Sequence, residues 1–315
     1  MRQFSAVMQS SKNTANEVDR PRLDEGGPEL VEIRGQMFAE ATGNLDRPSA
    51  PVIVQKLDDV LSSPDACAAD IAEVVMMDVG LTVKLLSLVN SSVYALPREI
   101  SSVEQAVALL GADQVRNVAL AVSMISKFTE TKSAAGFNPT AFWKHSLAVA
   151  VVSRLIGNVL RQRGNRDIDP GNLFLAGLMH DIGRVVVAQQ LPEYYERIRS
   201  VAFQTNAPID DVELAVLGTP HTAIGAQLLQ EWNMAAEVCD GARYHHEPET
   251  KGTVPAIIHC GDAIAHGLGF GNSESSLPRA NPLVWEGLAL TNESIYAVGA
   301  KLVVQMEQFV ETLLS

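Results

Sequence analysis

The chain has 315 residues, of which 47% are hydrophobic and 19% charged, and its formal net charge is −13. That length can bury a sizeable core, and the composition is ordinary for a globular protein. The acidity weighs against broad nucleic-acid binding, which needs clustered Lys and Arg, and against docking on an anionic membrane surface.

Residues 1–47 are polar and read as a flexible tail and linker, with one short helix over 29–41. From Val52 onward the periodicity is helical: Leu81, Leu85, Leu88 and Val89 share one face. Ser102 to Gln105 carry a capping box, and Gly111 closes the helix that follows. The polar stretch 129–138 divides an N-terminal helical lobe, 48–130, from a C-terminal helical lobe, 139–315. Asn138-Pro139, Asp169-Pro170 and Thr219-Pro220 each read as an N-cap followed by Pro at the first helical position. Residues 267–282 read as a Gly- and Ser-rich loop. The last helix places Ile295, Val298, Leu302, Met306, Phe309 and Leu313 at helical spacing. No segment alternates as a strand, so the expected fold is all-α, with about twelve helices in two lobes and no internal repeat.

Cys67, Cys239 and Cys260 form no C-x-x-C pair and imply no disulfide framework, which fits a reducing compartment. Cys239 and Cys260 read as inert buried thiols. The N-terminus has no apolar secretory core, and no run reaches the ~18 apolar residues of a membrane span, so the expected location is cytoplasmic. Neither a phosphate-binding P-loop nor a nucleophile elbow is present.

All seven histidines lie between 145 and 266. His145 stands near the start of a long helix, His180-Asp181 ends an apolar one, His221 opens another, and His245-His246 ends a fourth. Asp262 interrupts the apolar run Ile257 to Ile264. An aspartate in such a run is costly to bury unless it is paired or bound to a cation, and Asp181 meets the same description. Imidazole plus carboxylate suits a divalent transition metal (Fe, Mn, Zn or Ni), held by ligands that rigid helices aim inward. Taken singly, His259 and His266 read as core histidines with one hydrogen bond each. Asp210, Asp211 and Glu213 read as acids favoured by a helix N-terminus.

The order His145, His180-Asp181, His221, His245-His246, Asp262 resembles the HD superfamily of metal-dependent phosphohydrolases, and more closely the HDOD family, the HD-related output domain of bacterial signalling. Further segments look like HDOD landmarks: Met77 to Leu86 followed by Leu88 to Tyr94, Ile100 to Gly111, Phe142 to His145, Ala176 to Gly183, and His221 to Trp232. The resemblance covers about residues 48–270 and implies an HD-like helical bundle in the C-terminal lobe. It implies one or two metal ions, with His145, His180, Asp181 and Asp262 as first ligands and His221, His245 and His246 holding a second ion. The related HD-GYP phosphodiesterases carry Gly-Tyr-Pro after the paired histidines, and Lys three residues after each key aspartate. Here the motif is missing, and Arg184 and Ala265 stand at the lysine positions. Arg184 is a candidate phosphate contact, although Arg and Lys are not equivalent. The leading expectation is a regulatory module that senses or interacts, with a signalling protein as partner and a nucleotide ligand left open. The alternative is an active metal-dependent phosphohydrolase, most readily a phosphodiesterase.

Overall fold

The computed structural model describes residues 50–313, except 92–93, 95, 97, 131–133, 135, 250 and 272–280 and the side chains of 130, 308–309 and 311–313. Among these residues the regular structure is entirely helical, as expected for an all-α chain. Five helices come first: α1 (Val52–Leu61), α2 (Ala68–Met76), α3 (Val79–Asn90), α4 (Val103–Leu110) and α5 (Ala112–Glu130). Then follow α6 (Pro139–Gln162), α7 (Pro170–Met179), α8 (Ile182–Gln190), α9 (Pro192–Thr205), α10 (Ile209–Leu217), α11 (His221–Glu231), α12 (Ala236–Tyr244) and α13 (Thr253–Ala265). A π-helical turn, His266–Phe270, continues α13, and α14 (Pro282–Gly287) and α15 (Asn292–Leu313) complete the order.

Capping residues set several of these starts. Ser102 Oγ accepts the Gln105 N–H, Gln105 Oε1 accepts the Ser101 N–H, and Gly111 ends α4 at φ 88°. Asn138 and Asp169 cap α6 and α7 by accepting the N–H of Ala141 and Gly171. The Thr219-Pro220 pair works differently. Pro220 itself is the extended N-cap and His221 is the first helical residue. The orphan His221 N–H donates to the Glu213 carboxylate at 2.7 Å, so a distant acid caps α11 in place of Thr219.

Helices are also more numerous than the periodicity implies. Pro192 separates α8 from α9, and Asp181 stands between α7 and α8. The expected loop over 267–282 is partly the π-helical turn, with Gly269 at φ 85°. The expected tail 1–47, part of the 129–138 boundary, residues 272–280 of that loop and the side chains of Phe309 and Leu313 lie outside the described residues.

Helix α6 is the axis of the site-bearing half. Its side chains are buried around nearly the whole circumference from Phe142 to Leu160, and α7, α13 and α15 pack on it. At Gly177, α7 meets α6 backbone to backbone: a Cβ there would lie 2.7 Å from Ala150 Cα. At Gly183, α8 meets α11 still more closely: a Cβ there would lie 2.1 Å from the His221 carbonyl oxygen. Small residues at these two points bring the end of α7 and the starts of α8 and α11 together beside the middle of α6. Helices α1 to α5 pack on one another and reach the remainder through α5 against α6 and α7 and α3 against α15. Arg116 on α5 bonds Asp58 on α1 and the Trp232 carbonyl after α11. The buried apolar side chains run as one cluster from Val54 to Met306, where each fully buried leucine stabilises the fold by about 1.5–3 kcal/mol relative to exposure. No described helix is long and apolar enough to cross a membrane.

Candidate metal centre

The seven residues singled out as ligands converge. Asp181 Oδ1 lies 3.0 Å from His221 Nε2 and 3.6 Å from both His180 Nε2 and His245 Nε2. Asp262 Oδ1 lies 3.2 Å from His145 Nε2. Donor atoms of Asp181, His221, His245 and His246 all fall within 4.8 Å of one another, and so do those of His145, His180 and Asp181. Asp181 therefore belongs to both of these groups, while Asp262 falls in a third, with His145 and His266.

The far side of each ring explains which nitrogen faces the centre. His180 Nδ1 donates to the Gly177 carbonyl at 2.8 Å, His245 Nδ1 to the Ala242 carbonyl at 2.9 Å, and His145 Nδ1 to the Phe270 carbonyl at 3.0 Å. His221 Nδ1 lies 2.6 Å from Glu213 Oε2. Carbonyl and carboxylate oxygens only accept, so each of these Nδ1 atoms carries hydrogen and Nε2 faces inward, offering a lone pair wherever the ring is neutral. Held in this way, a ring has its tautomer and orientation fixed from outside, the arrangement found around ligating histidines.

Inside the ring of donors, ordinary hydrogen bonding fails. His221 Nε2, His245 Nε2, His246 Nε2 and Asp262 Oδ1 are buried without a hydrogen-bond partner. Leaving a polar atom so costs about 1–3 kcal/mol. Lone pairs facing a carboxylate oxygen at 3.0–3.2 Å are favourable only with a proton or a cation between them. The residues therefore fit a divalent ion, and the imidazole–carboxylate set suits Fe, Mn, Zn or Ni.

Electrostatics agree with this picture. Burial opposes ionisation of Asp181, yet His180, Arg184 and His221 hold its carboxyl well below the usual carboxylate range. Burial likewise opposes Asp262, and His266 and His145 overcome it. Burial pulls His221 down, but Glu213 and Asp181 raise it to about 10. Burial, with Asp181 and Asp262 opposing and the neighbouring imidazoles adding to it, lowers His180 to about 4. Burial and the adjoining His245 and His221 push His246 well below its ordinary value. The pocket thus favours positive charge beside its carboxylates and neutral imidazole elsewhere.

Arg184, the candidate phosphate contact, is buried, and its Nη1 bonds Asp181 Oδ2 at 3.1 Å. Two residues were missed from sequence. Glu213, read as a dipole-favoured acid at the start of α10, instead holds both the backbone and the ring of His221. Its signal was faint: one acid on the buried side of a helix, eight positions before a histidine. His266, read as a core histidine, has its Nδ1 2.9 Å from Asp262 Oδ1. Its spacing of four from Asp262 on a helix was the available sign. His259 is a core histidine as expected: its Nδ1 donates to the His245 carbonyl at 2.8 Å and its Nε2 accepts the Asn281 N–H. Cys239 and Cys260 are buried, and burial raises both thiols above their ordinary range.

Comparison with known proteins bears on the same segments. The crystal structure of an HDOD-domain protein of unknown function from Geobacter sulfurreducens is similar at a TM-score of 0.69 and 24% identity, covering 90% of this chain and 100% of that one. A candidate signal-transduction protein from Marinobacter aquaeolei is similar at 0.68 and 23%, covering 97% of this chain and 69% of that one. A candidate phosphohydrolase from Shewanella amazonensis is similar at 0.67 and 21%, covering 88% and 98%. An uncharacterised protein of Treponema pallidum is 24% identical over 228 residues, 70% of this chain, which spans only 42% of that relative's length. At these identities the likeness is one of fold. The HDOD domain model matches residues 48–248, well over half of the sequence, and the chain belongs to the HDOD domain family.

Proposed function

We propose that the chain is a regulatory module of bacterial signal transduction, a helical scaffold organised around a divalent-metal centre that presents its surface to a signalling protein. The observation that carries this reading is the enclosure of the donors. His145, His180, His221 and His245 are at most 1% exposed, and Asp181 and Asp262 are also buried. A centre enclosed by its own ligands is the structural type; a catalytic centre keeps a position open to substrate. The cation that the resemblance offers for phosphate, Arg184, is committed to Asp181, and Ala265 brings no charge. A nucleotide, if bound, acts as a regulatory ligand rather than a substrate.

The alternative, a metal-dependent phosphohydrolase, has one observation in its favour. His246 is half-buried and its Nε2 lacks a partner, so the Asp181 position has one edge nearer solvent. A bound divalent ion would supply Lewis acidity there. His221, with Glu213 behind it, and His245 would orient it, and Arg184 would hold the charge of Asp181. The test is an assay of the protein, loaded in turn with Mn, Fe, Zn or Ni, against bis(p-nitrophenyl) phosphate and cyclic dinucleotides. Bound metal without turnover is the expected result. Turnover that vanishes in Asp181→Ala would replace the regulatory reading with the enzymatic one.

A further inference from the structure

We infer that His266 is an additional ligand, and that His145, Asp262 and His266 form a cation position of their own, closed by the π-helical turn. This rests on the metal-centre reading above and adds a residue outside the seven-residue pattern.

Donor atoms of these three residues lie within 4.8 Å of one another. His266 Nδ1 is 2.9 Å and His145 Nε2 is 3.2 Å from the same carboxylate oxygen, Asp262 Oδ1. His266 Nδ1 also lies 3.1 Å from the Asp262 main-chain carbonyl, so without a cation it carries the hydrogen that the Asp262 oxygens accept. Donors around a tetrahedral ion with bonds of about 2.0–2.1 Å stand roughly 3.3 Å apart, so the spacing is that of shared ligation. The three side chains are 1%, 6% and 7% exposed, so water does not relieve the crowding.

The turn supplies two parts of this arrangement. The segment is kinked at Gly269, while His266 itself keeps the helical conformation of α13. The segment follows Asp262 by one helical turn and carries His266, whose ring centroid is 4.7 Å from that of His145. Its other end supplies the Phe270 carbonyl that accepts from His145 Nδ1 and turns Nε2 toward Asp262. Gly269 at φ 85° reverses the chain, and a Cβ at Gly271 would lie 2.6 Å from the His266 ring. One five-residue segment thus positions both imidazoles. A cation there takes the place of the His266 Nδ1 proton, which is released to solvent on binding. His145 also reaches the His180–Asp181 group, so the position adjoins the shared centre. The metal then clasps the segment after α13 onto α6, which gives metal loss a route to the surface.

The probe is Co2+, titrated into the chelator-stripped 315-residue chain by equilibrium dialysis and followed by its visible absorption, in the wild type, His266→Ala and His266→Gln. Wild type is expected to bind two equivalents, and both variants to lose about 10-fold or more in affinity for one of them, with a changed spectrum for that one alone. In the wild-type chain with Zn2+, 15N-histidine NMR is expected to show an imidazole ligated through Nδ1, because His145, His180, His221 and His245 hold Nδ1 outward. Unchanged binding and spectra in both variants, or no Nδ1-ligated imidazole in the wild type, would overturn the assignment of His266 and leave the seven-residue centre standing. A wild-type chain that binds no Co2+ would instead sink the metal-centre reading itself.

Discussion

Asp181 gathers its imidazoles from the ends of helices far apart in sequence, whereas Asp262 is served by α6 and by its own next helical turn. His221 and the His245-His246 pair reach Asp181 because α8 and α11 touch through Gly183, and because α12 ends over the same point. His266 reaches Asp262 at a spacing of four residues, and His145 is held to it by the Phe270 carbonyl. One carboxylate site is a product of tertiary packing and the other largely of local geometry. They should therefore fail in different ways: packing changes should damage the first, and changes in the π-turn the second.

The sharpest break in that comparison is Asp181→Ala. The variant should lose the equivalent at the Asp181 position, with an affinity fall of more than about 100-fold, while the His145–Asp262–His266 position, which lacks Asp181, keeps its ion, as measured by elemental analysis after dialysis. A variant that kept both ions at full affinity would show that Asp181 holds neither.

Next in size is Glu213→Ala. It leaves His221 Nδ1 and its backbone N–H without their acceptor, so affinity at the Asp181 position should fall about 10- to 100-fold while the Asp262 position is spared. Calorimetric titration distinguishes the two. Equal weakening of both sites would contradict the separation.

Gly183→Ala tests packing directly. Its methyl group would meet the His221 carbonyl, so α8 and α11 must part, costing about 1–3 kcal/mol in denaturant unfolding and weakening the Asp181 position. Wild-type stability would show that the approach of these helices is not close. The smallest effect belongs to Ser102→Ala, which removes the cap of α4 and should cost about 1 kcal/mol with metal stoichiometry unchanged.

The helical class and the order of His145, His180-Asp181, His221, His245-His246 and Asp262 were legible because apolar periodicity and residue order are properties of the chain itself. Capping at Ser102, Asn138 and Asp169 was legible for the same reason, since a cap and its N–H donor are three residues apart or fewer. Glu213 was not, because an acid eight residues from a histidine becomes its partner only when α10 and α11 fold against each other. His266 was not picked out because, taken singly, it read as a core histidine; the helical register at the end of α13 sets it over Asp262. The sharing of Asp181 needed the backbone contact at Gly183, which residue order does not encode.

The most direct test of the account is elemental analysis of the 315-residue chain purified without chelator, with protein concentration from amino-acid analysis. The account predicts near-stoichiometric transition metal, up to two ions per chain, one of them lost in Asp181→Ala. Metal-free protein that also fails to take up Mn, Fe, Zn or Ni would contradict it, and the buried imidazoles and carboxylates would then have to be satisfied by protons alone.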